Sequence, residues 1–171
     1  MSVIKNDLKK SFKIVLDSSK TNFTGNQFDA NFQIDLTKIL TNDKDFDKSY
    51  NMTFAFRSRG ADPNTTLLDY FDVYTLCIDF GKGYNSICAR MNRNHVGILP
   101  VSINTVYGSV SSFFDAKESD NAPILVKNVR DLTSIRLTVV ENTIDLIFNP
   151  TNDNTINNLT EYVCILTFTE I

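Results

Sequence analysis

The chain has 171 residues, of which 42% are hydrophobic, 22% charged and 11% aromatic, with six Gly, four Pro and three Cys. This length supports one domain whose core needs no disulfide or structural metal, and 17 basic against 20 acidic residues, a net charge of -3, give no electrostatic basis for nucleic acid as the main partner. No apolar run approaches the roughly 18 residues of a membrane-spanning helix, so no transmembrane segment is expected.

Residues 1–10 read as an N-terminal arm, and residues 11–171 as a single domain. The arm carries Lys5, Lys9 and Lys10, with Lys13 just beyond, and lacks the apolar run and small-residue cleavage site of a secretory signal. A solvated terminus is the expectation. Phe12, Ile14 and Leu16 then open a two-residue apolar period, which the polar segment 17–22 interrupts as a turn. The clearest alternation runs over 28–36, where every even position is apolar and every odd one polar. It predicts a half-buried strand. A helical turn is expected over 36–40, and a solvated loop at Asp43-Lys44-Asp45-Phe46-Asp47, before Met52, Phe54 and Phe56 resume the alternation.

Gly60-Ala61-Asp62-Pro63-Asn64 is a turn, with a second short helical stretch expected at 65–71. Strands rich in β-branched and aromatic residues follow at 73–80, 96–103, 107–114 and 124–129, with 86–95 read as a polar connection. Ile135, Leu137 and Val139, then Ile144, Leu146 and Phe148, mark two more strands, and 162–169 the last. About ten strands and no helical stripe give an all-β chain of two packed sheets. Short and long connections together suit a sandwich with Greek-key crossings better than a meander.

Candidate chemistry is sparse. The acidic run at Asp43 starts like a calcium loop but puts Lys48 where that loop needs Gly and Phe54 where it needs Glu. Asp79-Phe80-Gly81 spells a kinase triplet without the other kinase motifs, and Gly81-Lys82-Gly83 lacks the long glycine frame of a phosphate loop. Both read as turns. His95 is the only histidine, so an imidazole base or a dyad with Cys88 would have to use it, and nothing nearby supplies an orienting group or oxyanion hole. With four Glu and no marked carboxylate pair, no catalytic, cofactor or metal residue is assigned, and no enzyme activity is expected. Cys77, Cys88 and Cys164 are odd in number and widely spaced, which suits reduced thiols made in a cytosol.

Aromatic placement is more informative. In the last strand Val163, Ile165 and Thr167 alternate with Tyr162, Cys164, Leu166 and Phe168, leaving it apolar on both sides, so something is expected to cover it. Phe113 and Phe114 are adjacent and must point to opposite faces, and Tyr70 and Phe71 repeat the pattern. These four are the candidate subunit contacts, because exposed aromatic patches mark association more often than an oversized core.

The order of segments adds a resemblance. Phe12-Lys13-Ile14-Val15-Leu16-Asp17-Ser18-Ser19 leads into the alternating segment 28–36; Val96-Gly97-Ile98-Leu99-Pro100, Tyr107 and Pro123-Ile124-Leu125-Val126 occupy the middle; Leu132-Thr133-Ser134-Ile135-Arg136-Leu137-Thr138-Val139-Val140 and Tyr162-Val163-Cys164-Ile165-Leu166-Thr167-Phe168 close the chain. This sequence resembles the small single jelly-roll capsid proteins of large double-stranded DNA viruses, the penton and minor capsid subunits, over nearly its whole length. The resemblance implies a single jelly-roll β-sandwich of eight main antiparallel strands, with no catalytic residue to carry over. It also implies a structural role in the virion, with assembly in the host cytoplasm. The expected partners are copies of the chain itself, as a pentamer at the fivefold vertices, and the neighbouring major and minor capsid proteins. A minor capsid position elsewhere in the shell is the alternative. So is a receptor- or carbohydrate-binding viral sandwich using Tyr70, Tyr84 and Tyr107, whereas a cupin enzyme would need several histidines.

Overall fold

The computed structural model describes residues 10–19, 23–26, 29–58, 73–79, 87–88, 93–106, 109–130, 132–142 and 161–171. Twelve strands lie among them: β1 Ser11–Asp17, β2 Phe23–Asn26, β3 Asp29–Gln33, β4 Ser49–Ser58, β5 Val73–Asp79, β6 Ile87–Cys88, β7 Arg93–Leu99, β8 Val101–Val106, β9 Ser109–Ala116, β10 Ile124–Lys127, β11 Ser134–Asn142 and β12 Tyr162–Glu170. The first sheet runs β1-β12-β4-β9-β8, with β10 also on β4, and the second runs β2-β3-β11-β5-β7-β6. All the pairings are antiparallel. The chain is therefore all-β, a sandwich of two antiparallel sheets.

Four of the pairings nest inside one another. The first strand pairs the last, β3 pairs β11, β4 pairs β10, and β5 pairs β7. The chain is thus one long antiparallel ribbon folded across two layers, with β8 and β9 as a hairpin inserted near its middle.

Between the layers, alternate side chains make a common core. Phe12, Ile14 and Leu16 of β1 lie beside Phe168, Leu166 and Cys164 of β12, which in turn lie beside Met52, Phe54 and Phe56 of β4. From the second sheet come Phe32, Leu76, Ile78, Ile135, Leu137 and Val139. Rings pack within the first sheet, Phe12 on Phe168 at 4.7 Å and Phe56 on Tyr162 at 5.0 Å, and Phe32 meets Tyr162 edge-on at 6.5 Å across the sandwich. Each fully buried Phe or Leu contributes about 1.5–3 kcal/mol, so this alternation fixes which face of every strand turns inward.

The structure revises several sequence expectations. The strand expected over 96–103 is two strands in different sheets, because Pro100 has no N–H to donate: β7 stops at Leu99 against β5, and β8 starts at Val101 against β9. The connection expected over 86–95 holds β6 and the start of β7, and His95 lies opposite Cys77 in the ladder. The segment 28–36 is shorter as a strand, since Leu36–Lys38 forms a 3-10 turn capped by Asp35, whose carboxylate accepts from Thr37 N at 3.1 Å. Beyond the turn at Asp17, Phe23–Asn26 adds a strand. The helical stretch at 65–71, the strand at 144–148 and the turn at 149–154 lie outside the described residues.

The acidic segment forms a 3-10 turn, Asp43–Asp47, whose outer carboxylates are exposed, as expected of a solvated segment, and whose middle one is not. Its central carboxylate, Asp45, is 3% exposed. Lys10 reaches it at 2.7 Å and Lys48 at 2.8 Å, and Lys48 also meets Glu170 at 2.9 Å. Arg130 holds the outer two carboxylates, with Nε and Nη2 donating to Asp47 at 3.1 and 3.0 Å and Nη1 to Asp43 at 2.8 Å, while its guanidinium lies over the Phe46 ring at 5.5 Å. A spacing that suggested a cation loop is met by the protein's own cations.

Candidate functional site

The outer face of the first sheet collects the side chains that the core rejects. Register sets them in rows across β1, β12 and β4: Lys13, Thr167 and Thr53; Val15, Ile165 and Ala55; Asp17, Val163 and Arg57, the last continuing to Asp115 on β9. The middle row is apolar throughout, and the rows beside it carry charge. Val15 is 60% exposed and Val163 37% exposed, with Ile165 half-buried between them. Thr167 is the best covered, donating its hydroxyl to Glu118 at 2.6 Å, which Lys13 approaches at 3.3 Å. These contacts, the Thr167 hydroxyl first, hold the Glu118 carboxyl below its ordinary range.

Of the four expected contact residues, Phe113 lies on this face, half-buried, with the Arg57 guanidinium 5.9 Å from its ring. Phe114 does not. It is 0% exposed, meets Phe56 edge-on at 6.0 Å, and gives its backbone N–H to Ser58 Oγ at 2.8 Å. The pleat sends neighbouring side chains to opposite faces, as the sequence implied, and one of those faces is the core. Tyr70 and Phe71 lie outside the described residues.

Where the last row meets the end of β1, a shallow cleft of about 350 Å³ is lined by Asp17, Ser19, Arg57, Ser58, Glu161, Tyr162 and Val163. Its hydroxyls have structural tasks: Ser19 donates to Asp17 at 2.6 Å and Ser58 accepts from Phe114 N. The lining contains no imidazole or thiol; its ionisable groups are the Asp17 and Glu161 carboxylates, the Arg57 guanidinium and the Tyr162 phenol. Among the described residues no three His, Cys, Asp or Glu side chains are grouped to hold a metal ion. Cys77 and Cys164 are buried and in no disulfide, and burial pushes the Cys164 thiol well above its ordinary value. It is unreactive packing.

At the opposite end of β1, hydrogen bonds from Lys10 and then Lys48 hold the Asp45 carboxyl below its usual range, while Asp45 and Glu170 raise Lys48. Tyr50 donates its hydroxyl to the Asp45 carbonyl at 2.7 Å, and burial raises its phenol. This network ties the start of β1 to β4 and β12. The sequence offered no signal for it, because its members are separated by up to 160 positions.

A second missed feature closes an edge. Asn121 acts as a substitute strand residue on β7, its Oδ1 accepting from Ile98 N at 2.9 Å and its Nδ2 donating to Ile98 O at 3.2 Å. Gly97 allows this approach, since a Cβ there would sit 2.5 Å from Asn121 Cγ and 2.7 Å from Phe54 Cε1. Compared with protein-family models, curated proteins and solved structures, the chain matches none.

Proposed function

We propose that the chain is a structural subunit of an icosahedral virus shell, built on a single jelly roll and placed as a penton, five copies around each fivefold vertex. The observation that carries this reading is the nested pairing of β1 with β12, β3 with β11, β4 with β10 and β5 with β7. Four nested antiparallel pairs over two layers are what an eight-strand double Greek key, the plan of many capsid and lectin domains, would contain, and this supports the reading. Fold alone does not fix function. Two further features favour the structural use of that fold over a chemical one. The serine hydroxyls of the cleft are engaged in structural hydrogen bonds, Ser19 with Asp17 and Ser58 with Phe114 N, and the first sheet exposes an apolar row between charged ones, the composition of a contact surface.

In this arrangement each subunit offers one flank and accepts the other flank of its neighbour, a heterologous contact that closes at fivefold rotation. A flank of the standard size for a specific contact buries about 1,600 Å² in total. An icosahedral reconstruction of intact particles tests the proposal. Density for this fold in five copies at the vertices is the expected result. Absence of the chain from purified particles, or glycan-array binding by a protein that never enters a shell, would overturn it.

A further inference from the structure

Arg57 and Arg130 share a pose and differ in their partners. Each lays its guanidinium over a phenylalanine ring, Arg57 on Phe113 at 5.9 Å and Arg130 on Phe46 at 5.5 Å. Arg130 also donates to Asp43 and Asp47. Arg57, exposed on the outer face of the first sheet, makes no hydrogen bond or ion pair among the described residues. A guanidinium held against a ring keeps its fork of N–H donors ready for a carboxylate. A carboxylate oxygen with room for such a donor stands on the same face. Glu118 takes both of its contacts, from Thr167 and Lys13, on Oε1, and Oε2 accepts nothing among the described residues. The two groups cannot meet within one chain. Glu118 is anchored at the Thr167 row and Arg57 stands in the Val163 row, four residues along β12 and about 13 Å away.

Midway between those two rows lies the apolar one, Val15, Ile165 and Ala55. We infer that two copies of this chain pack the outer faces of their first sheets together about a twofold axis that runs along this row. The axis sets each member of the row against its own counterpart, Val15 on Val15 and Ile165 on Ile165, and exchanges the rows on either side. Glu118 of each copy then comes over Arg57 of the other, twice in one isologous contact. Sheets packed face to face lie about 10 Å apart with their strands near alignment, a gap that an Arg and a Glu reaching from opposite sides can span. The outer face of the second sheet offers no equivalent surface at Thr138 and Cys77, which are buried, whereas Val15 and Val163 are exposed. An apolar stripe with an acid on one side and a base on the other calls for a partner with the same pattern reversed. A second copy, turned over, carries it.

This inference concerns the sheet face and stands apart from the shell proposal, and oligomer mass separates the two. Native mass spectrometry and sedimentation of the full chain over a concentration series are expected to give dimers, or decamers if fivefold rings also form. Pentamers alone, or monomers throughout, would overturn it. Arg57→Glu and Glu118→Arg should each weaken the dimer about tenfold or more, since each sets like charges opposite one another twice. An equimolar mixture of those two variants should recover a dimer containing one of each, because both contacts then join opposite charges. No recovery on mixing rejects the axis. Val15→Asp places a carboxylate on the axis in both copies, so the dimer is expected to disappear while the β spectrum by circular dichroism persists. A persisting dimer contradicts the packing, and the mixture of charge variants decides the matter if Val15→Asp fails to fold.

Discussion

Apolar neighbours on β1, β12 and β9 meet opposite fates one residue apart. Leu16, Leu166 and Phe114 are sealed between the sheets, whereas Val15 and Phe113 stand on the outer face with Ile165 half-buried beside them. Residue type is the same on both sides of the pleat, so direction alone separates a core contribution from an exposed one. The outer face of the second sheet makes the contrast sharper. There Thr138 and Cys77 are ladder partners and both are buried, at 1% and 2% exposure. The coverage anticipated for β12 is therefore found on the other sheet, and the first sheet keeps its apolar row in contact with solvent. That row adds little to the buried core.

The largest test of this contrast lies in β9. Phe114→Ala should lower stability by about 3–5 kcal/mol in denaturant unfolding, and Phe113→Ala by about 1 kcal/mol or less, because only the first opens a core cavity. Equal losses would mean that both faces are core. Next comes Gly97→Ala, for which about 1–3 kcal/mol is expected from crowding Phe54 and Asn121. Its hydrogen exchange should show the Ile98 amide losing protection first, since the Asn121 clasp must give way.

A smaller effect depends on pH. Asp45 has a lowered carboxyl pKa in the fold, so its contribution is present above its ordinary value of 3.8 and is lost as pH falls through the lower folded value. Wild type should therefore be more stable than Asp45→Asn at neutral pH, with the two acid-unfolding curves converging below about pH 4. Parallel curves at all pH values would show that the carboxylate charge contributes nothing. Smallest of all, Val163→Thr on the outer row should change monomer stability by no more than about 0.5 kcal/mol, which thermal unfolding can bound.

Much of the strand inventory was legible because a half-buried strand writes its inner face at every second residue. Phe12, Ile14 and Leu16 read as inward-facing, as did Met52, Phe54 and Phe56, and Ile135, Leu137 and Val139, and all nine are core. The contact face was less legible. Phe113 and Phe114 gave the correct opposition of faces but no sign of which face was wet, and β12, apolar on both sides, gave no preference. Asp45 read as solvated along with Asp43 and Asp47, which are exposed; its burial was not legible because its partner Lys10 arrives from 35 positions away.

By itself the sequence determined the all-β class, the inward residues of most strands and many of the turns, since these depend on alternation and on Asn, Asp, Gly and Pro acting over a few positions. Only the tertiary structure decided that β1 lies against β12, that the chain changes sheet at Pro100, that Asp45 is buried between two lysines, and that β1 stands at the end of its sheet's strand order. Side-chain periodicity is a local property of an extended backbone. Pairing partners are chosen by burial and hydrogen bonding across the whole chain, where residues far apart in sequence compete for the same edge.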